Sequence, residues 1–327
     1  MRTLILIALA GAVAQLVDGS LGMGFGVTST TFLLAFTSLT PAGASAVVHV
    51  AELGTTLASG LSHWKLQNVD WKVVFSLGAP GAIGAFLGAT VLSHLSLAFA
   101  KPVTSGILAT IGAFLVIRFA RGRTTARVNR TPASRSVLAV LGLVGGFVDS
   151  AGGGGWGPVT SSTLMSIGRA EPRRIVGTVN TAEFLVTLAA CAGFGLGLWH
   201  ELIAHLGASL ALLGGGVLFA PVAAWLTTKV NQQLLGGFIG TVLVLTNLAP
   251  LLDPLSLNAP TLALVFVAIG VLGVCLSLCG VRRARTTERP FTYSESITAN
   301  TPEPVTTGAG LSHTVSPSTS RESFHHG

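Results

Sequence analysis

The sequence predicts an all-α polytopic membrane protein: two inverted repeats, each a re-entrant or broken-helix hairpin plus three transmembrane helices, and one extra C-terminal transmembrane helix. An apolar composition, an ungapped internal repeat and the placing of the arginines predict it. Half of the 327 residues are hydrophobic, only 9% are charged, and the mean hydropathy is +0.71. Soluble domains carry about a quarter charged residues, so an ordinary water-facing surface is excluded. Apolar runs lie at 3–17, 28–39, 42–62, 73–93, 102–117, 136–148, 158–168, 175–199, 202–227, 232–252 and 260–281. Several approach or exceed the ~20 residues that cross a bilayer as a helix.

The repeat is seen by sliding the chain through 131 positions. Ala8 then falls on Ala139, Gly11 on Gly142, Val17 on Val148, Asp18 on Asp149, Pro41 on Pro172 and Glu52 on Glu183. The stretches "DGSLGMGFGV" (18–27) and "DSAGGGGWGP" (149–158) coincide, each an acid followed by glycines inside oily sequence. The opening "MRTLILIALAGAVAQ" imitates a cleaved signal peptide. Because the repeat begins inside it, the segment is expected to be structural.

Each copy opens with an apolar stretch, 3–39 or 136–168, broken by the acid and glycines into halves of about 12 to 16 residues. Such halves fall short of a crossing, which predicts a helix in, a glycine turn and a helix back. The net charge of +7 sits where cytoplasmic loops carry it, which argues against nucleic acid as the partner. Six arginines lie between Arg118 and Arg135, and Arg169, Arg173, Arg174, Lys229 and the cluster Arg282, Arg283 and Arg285 can share their side. This places Lys65 and Lys72 inside as well, opens the first hairpin from outside, and leaves Arg2 and Lys101 as exceptions. The expected organisation is repeat 1 over 1–119, a basic cytoplasmic linker over 120–135, repeat 2 over 136–252, the extra helix at 260–281 and a disordered cytoplasmic tail over 286–327.

Non-helical backbone survives at membrane depth only inside protein or against a wet cavity. Gly22, Gly24 and Gly26, with Gly153, Gly154, Gly155 and Gly157, would let backbone approach a ligand. The helix restarting after each turn aims free N–H groups at that point, a setting for an oxyanion. Thr28 and Ser29, with Thr160 and Ser161, would add hydroxyl donors, as could Thr30 and Thr31. The plainer reading is that the glycines permit tight packing and the hydroxyls bond their own helices. Asp18, Glu52, Asp149 and Glu183 are the only carboxylates within apolar stretches, and intramembrane acids usually mark ion pathways or proton relays. Glu52 and Glu183 are expected proton carriers, with His49 on the same helical face as Glu52 as a relay. Asp18 and Asp149 are expected to cap the helix breaks. Structural bonding of all four acids is the alternative. Cys191, Cys275 and Cys279 lack nearby histidine partners, so neither a metal site nor a cofactor is expected.

The duplicated "GGGGWGP" and "LGMGFGV" signatures, each leading into a helix, resemble the TauE/SafE family of membrane proteins, associated with sulfite and organosulfonate export. The resemblance covers most of residues 1–280 and maps the family's glycine turns onto Gly22, Gly24, Gly26 and Gly152 to Gly155. It implies a multi-pass, ion-coupled plasma-membrane transporter of small sulfur-containing or carboxylated anions. Leu21 and Met23 depart from the glycine-rich pattern of the second copy. The partners expected are a small anion, protons or another coupling ion, and the lipid bilayer, with a homo-oligomer allowed. A cation transporter or channel using the four acids and His49 as ligands is the rival, favoured by the lack of Lys or Arg in the apolar core. No Ser-His-Asp, HExxH or paired-cysteine pattern marks an enzyme, and none is expected.

Overall fold

The computed structural model describes residues 1–122, 133–167, 171–226 and 229–287, and every regular element in them is helical. The first repeat folds as α1 (Arg2–Leu21), α2 (Phe25–Phe36), α3 (Pro41–Lys65), α4 (Trp71–His94) and α5 (Leu97–Ala120). The second folds as α6 (Arg135–Gly152), a π-helical turn (Gly157–Ser161) running into α7 (Ser162–Ile167), α8 (Pro172–Ala204), α9 (Leu206–Leu226) and α10 (Gln232–Leu252). α11 (Ala259–Thr287) follows and extends the expected extra helix through the Arg282 cluster. Most of the 120–135 linker and nearly all of the 286–327 tail fall outside the described residues.

Local sequence sets these boundaries. Thr40 accepts the Gly43 N–H ahead of Pro41 at the start of α3, and Asp70 accepts the Lys72 and Val73 N–H groups ahead of α4. Ser134 and Asn231 cap α6 and α10 in the same way. Each cap satisfies donors that a helix start otherwise leaves free. Among the described residues, eight helices (α1, α4, α5, α6, α8, α9, α10 and α11) are long and apolar enough to cross a membrane. α3 has the length but not the apolarity, because it carries Ser45, His49, Glu52 and Thr56 in buried positions. Protein, rather than lipid, surrounds its middle.

The breaks fall where the glycines are, but the arms differ from expectation. α1 has 20 residues and α6 has 18, not 12 to 16; 20 residues span about 30 Å. The acid does not end either helix. Asp18 and Asp149 remain helical and the chain turns four residues later, at Gly22 and Gly153, where the backbone is left-handed. The second arms are short, 12 residues in α2 and the π turn with α7 in the other copy. α2 returns along α1: Phe36 and Thr37 at its end line one groove with Leu6 and Leu9 near the start of α1.

The halves are built into one another. α4 packs on α6 and α8 of the other half, and α9 packs on α1 and α3. α3 meets α8, and α5 meets α10. Lipid gives little drive to bury apolar side chains, so such helices hold together by close backbone approach. A methyl group on Gly11 would overlap the Leu212 carbonyl, and one on Gly142 would overlap that of Leu77. At the α5–α10 crossing Gly112 and Gly240 face each other's carbonyls, at 2.7 and 2.6 Å from an added Cβ. One core forms around Trp156 with α3, α4, α6 and α8, and another around Phe25 with α1, α2, α3 and α9. A third gathers Val17, Met23, Val27, Ile111 and Leu243 at the breaks themselves.

Candidate functional site at the paired helix breaks

Both breaks are made the same way. In the first, the Gly22 N–H returns to the Asp18 carbonyl at 2.6 Å, Gly24 takes φ 115°, and the Phe25 N–H points at Asp18 Oδ1 at 3.4 Å. In the second, the Gly154 N–H bonds the Asp149 carbonyl at 2.7 Å, Gly154 and Gly155 take φ 141° and 149°, and Asp149 Oδ1 accepts the Trp156 N–H at 2.8 Å. Only glycine adopts such angles without strain. Each acid therefore reaches over its turn to the first free donor of the next helix, where a negative charge is favoured. Trp156 is fully buried and anchors the second break by donating its indole N–H to the Val179 carbonyl at 3.1 Å.

The two breaks touch. A Cβ added to Gly26 would lie 2.8 Å from Gly154 Cα and 2.8 Å from Glu52 Oε1. Thr30 donates its hydroxyl to the Gly153 carbonyl, and Ser162 donates to Met23 Sδ at 3.4 Å. Helix ends leave carbonyls free, and here neighbouring helices satisfy them. Ser45 of α3 donates to the Ser150 carbonyl at 2.8 Å, and Thr104 of α5 to that of Ala151 at 3.1 Å. On the first break Gln232 donates to the Ser20 carbonyl at 3.2 Å. Asn247 of α10 donates to Thr31 at 3.2 Å. Sequence reasoning missed Ser45, Thr104, Gln232 and Asn247. Their signal was a polar side chain within an apolar run, which also describes residues that merely bond their own backbone.

His49, Glu52 and Asp149 are the titratable side chains buried almost completely among the described residues. His49 Nε2 lies 3.2 Å from Asp149 Oδ2, and Nδ1 lies 2.8 Å from the Ser45 carbonyl oxygen. The histidine thus bonds across the halves, to the acid expected only to cap. Glu52 approaches Gly26 with Oε1, and its buried Oε2 has no partner. Glu183, its counterpart on α8, is partly buried, and Glu52 lies within electrostatic reach of Glu183, Asp149 and Asp18. Asn180, which the repeat sets opposite His49, donates to Ser59 at 3.2 Å. The symmetry of the two caps therefore does not extend to His49 and Asn180.

The expected hydroxyl donors divide into two groups. Thr160 donates back to the carbonyl of Trp156, the residue just before its own π turn. Thr28, Ser29 and Ser161 are buried with hydroxyls that meet no partner, and so are Ser20 and Ser150 beside the capping acids. Buried hydroxyls normally find an acceptor, so those left free along the segments of the two breaks are exceptions. Gly157 packs against Met23, where an added Cβ would lie 2.9 Å away. Among the described residues no three His, Cys, Asp or Glu side chains converge in a way that could hold a metal ion.

Known proteins resemble this chain along most of its length. The family model described as "Sulfite exporter TauE/SafE" matches residues 7–249. The chain is 45% identical over 273 residues to a protein of Bacillus subtilis (strain 168) named "Probable membrane transporter protein YtnM", covering 83% of this chain and 90% of that protein. A second Bacillus subtilis (strain 168) protein, "Probable membrane transporter protein YdhB", is 28% identical over 179 residues, covering 54% of this chain and 71% of its own length. No solved structure matches the chain.

Proposed function

Because the chain belongs to the TauE/SafE family of membrane transporters, we propose that it moves a small anion, sulfite or another sulfur-containing or organic anion, coupled to protons, through a site between its two glycine-rich breaks. The observation that carries this reading is the set of buried hydroxyls without partners, Thr28, Ser29 and Ser161, beside restarted helix ends. Hydroxyl and backbone donors can hold an oxyanion without a fixed cation, and the cost of leaving them unpaired is about 1–3 kcal/mol each. An arriving anion would offset it. Glu52, Glu183 and His49 are the candidate carriers of the coupling proton in this reading, and Asp18 and Asp149 hold the breaks in shape.

The two halves are inverted repeats in the plasma membrane, with Lys65, Lys229 and the tail on the cytoplasmic side. Contact between Gly26 and Gly154 leaves no room for an anion between the turns, so passage requires them to part as the halves rock. The chain performs transport and no bond-making chemistry.

Flux into proteoliposomes of sulfite, sulfoacetate, taurine, nitrate and a divalent metal, with and without a pH gradient, tests this. Sulfur-containing or organic anions should accumulate when the gradient is imposed. Thr28→Val, Ser29→Ala and Ser161→Ala should raise the half-saturating anion concentration at least threefold without lowering the melting temperature. Metal-dependent flux indifferent to anions would overturn the reading.

A further inference from the structure

Both ring nitrogens of His49 face acceptors. Nδ1 lies 2.8 Å from the Ser45 carbonyl oxygen and Nε2 lies 3.2 Å from Asp149 Oδ2. The Ser45 hydroxyl, 3.4 Å from Nδ1, gives its proton to the Ser150 carbonyl, so it supplies none to the ring. Asp149 Oδ1 is already occupied by the Trp156 N–H. A neutral imidazole has one N–H and can serve only one of these acceptors. The other nitrogen would then oppose its lone pair to an oxygen lone pair in a fully buried site. All the contacts are made only when the pair holds one proton beyond neutral imidazole and carboxylate. The two arrangements are imidazolium with carboxylate, or imidazole with carboxylic acid.

We propose that the His49–Asp149 pair is the seat of the coupling proton, loaded while the two breaks touch and emptied when they part. The proposal rests on the proton-coupled reading above and names where the proton sits. Loading takes one proton from water, adding one N–H or O–H bond to the pair, and unloading returns it to water on the other side. No other bond changes. The surroundings make the proton consequential. Glu52 follows His49 along α3, Asp149 lies within electrostatic reach of Glu52 and of Glu183 on α8, and Asp18 of α1 lies within reach of the same two glutamates. Phe194 of α8 covers the imidazole with its ring centroid 5.7 Å away. α2 and α5 present hydroxyls, Thr30 and Thr104, and no Lys or Arg is among the buried side chains described.

The mechanical consequence follows from Asp149 serving two masters. One oxygen caps the second break at Trp156, and the other bonds α3 of the opposite half. Removing the proton leaves one of the two ring contacts, to Asp149 Oδ2 or to the Ser45 carbonyl, without a hydrogen, and the tautomer that strips Nε2 is relieved by moving Asp149, and with it the break, away from α3. The first break has no such device, since Asn180 bonds Ser59 and not Asp18. This pair, acting alone as the seat, carries one proton per cycle.

The test measures the ratio of protons to sulfite moved by the purified full chain in proteoliposomes, with a pH-sensitive dye and labelled sulfite. The wild-type ratio should be close to one and should fall at least fivefold in His49→Gln and in Asp149→Asn. A ratio unchanged in His49→Gln overturns this assignment alone. Sulfite flux without protons in the wild type overturns the coupled reading and this proposal together. A second measurement needs no variant: nitrogen NMR of the wild-type chain in nanodiscs at neutral pH, with infrared detection of carboxylic acid. A doubly protonated His49 ring or a protonated Asp149 supports the proposal. A singly protonated ring facing an ionised Asp149 defeats it.

Discussion

A methyl group on Gly154 would meet the backbone of Gly26 and Val27 while its own φ is 141°. Gly26→Ala and Gly154→Ala should therefore lower stability by about 1–3 kcal/mol each, read as a drop in melting temperature in detergent, with transport lost. Gly207→Ala gives the contrast. Nothing lies within 4 Å of a Cβ there, and alanine is favoured over glycine in a helix by roughly 1 kcal/mol. Its melting temperature should hold or rise. A general intolerance of glycine substitution would show no such split, and the tightness of the Gly26–Gly154 contact would then not be the cause.

At the scale of a helix, the question is what ends it and what closes its orphan groups. Asp149 caps at 2.8 Å and bonds His49, whereas Asp18 approaches Phe25 at 3.4 Å and bonds nothing on α3 or α8 in the described contacts. Loss of a cap costs about 1 kcal/mol, and loss of a buried partner adds to it. Asp149→Ala should destabilise clearly more than Asp18→Ala in the same unfolding assay; equal losses would mean that the His49 bond contributes nothing. Ser45→Ala and Thr104→Val should each cost about 1–3 kcal/mol by uncovering the Ser150 and Ala151 carbonyls. Thermal unfolding of the single and double variants would measure this. The four-residue displacement of each break from its acid also belongs here. Hydropathy counts stop at a charge, but a helix stops where left-handed backbone is affordable, which is at the glycine.

For the molecule as a whole, the interlocking of α4 with α6 and α8, and of α9 with α1 and α3, ties the halves together. The proposed inversion is checked by single cysteines in a background lacking Cys191, Cys275 and Cys279. Lys101→Cys should react with an impermeant thiol reagent in intact cells, and Lys65→Cys and Lys229→Cys only after permeabilisation. Labelling of all three from outside would remove the opposite orientation. At this scale Gly11 and Gly142 play matching parts, so Gly11→Leu and Gly142→Leu should lower the melting temperature by similar amounts, each by wedging a first helix away from its partner in the other half.

Composition and the repeat alone determined that the chain is helical, crosses a membrane and breaks twice at glycines, because those features follow from one-dimensional quantities: apolarity over a bilayer's thickness and residues that permit positive φ. The same patterns marked His49, Glu52, Asp149 and the hydroxyls as exceptional, since a polar side chain in an apolar run stands out wherever it points. Only the tertiary structure decided which of them meet. It set Asp149 against His49 as well as making it a cap, freed Thr28, Ser29 and Ser161 while tying down Thr30 and Thr160, and recruited Ser45 and Thr104 from distant helices. Those outcomes depend on helix rotation and crossing, and these are fixed by glycine contacts between segments that a repeat aligned along the chain does not bring together.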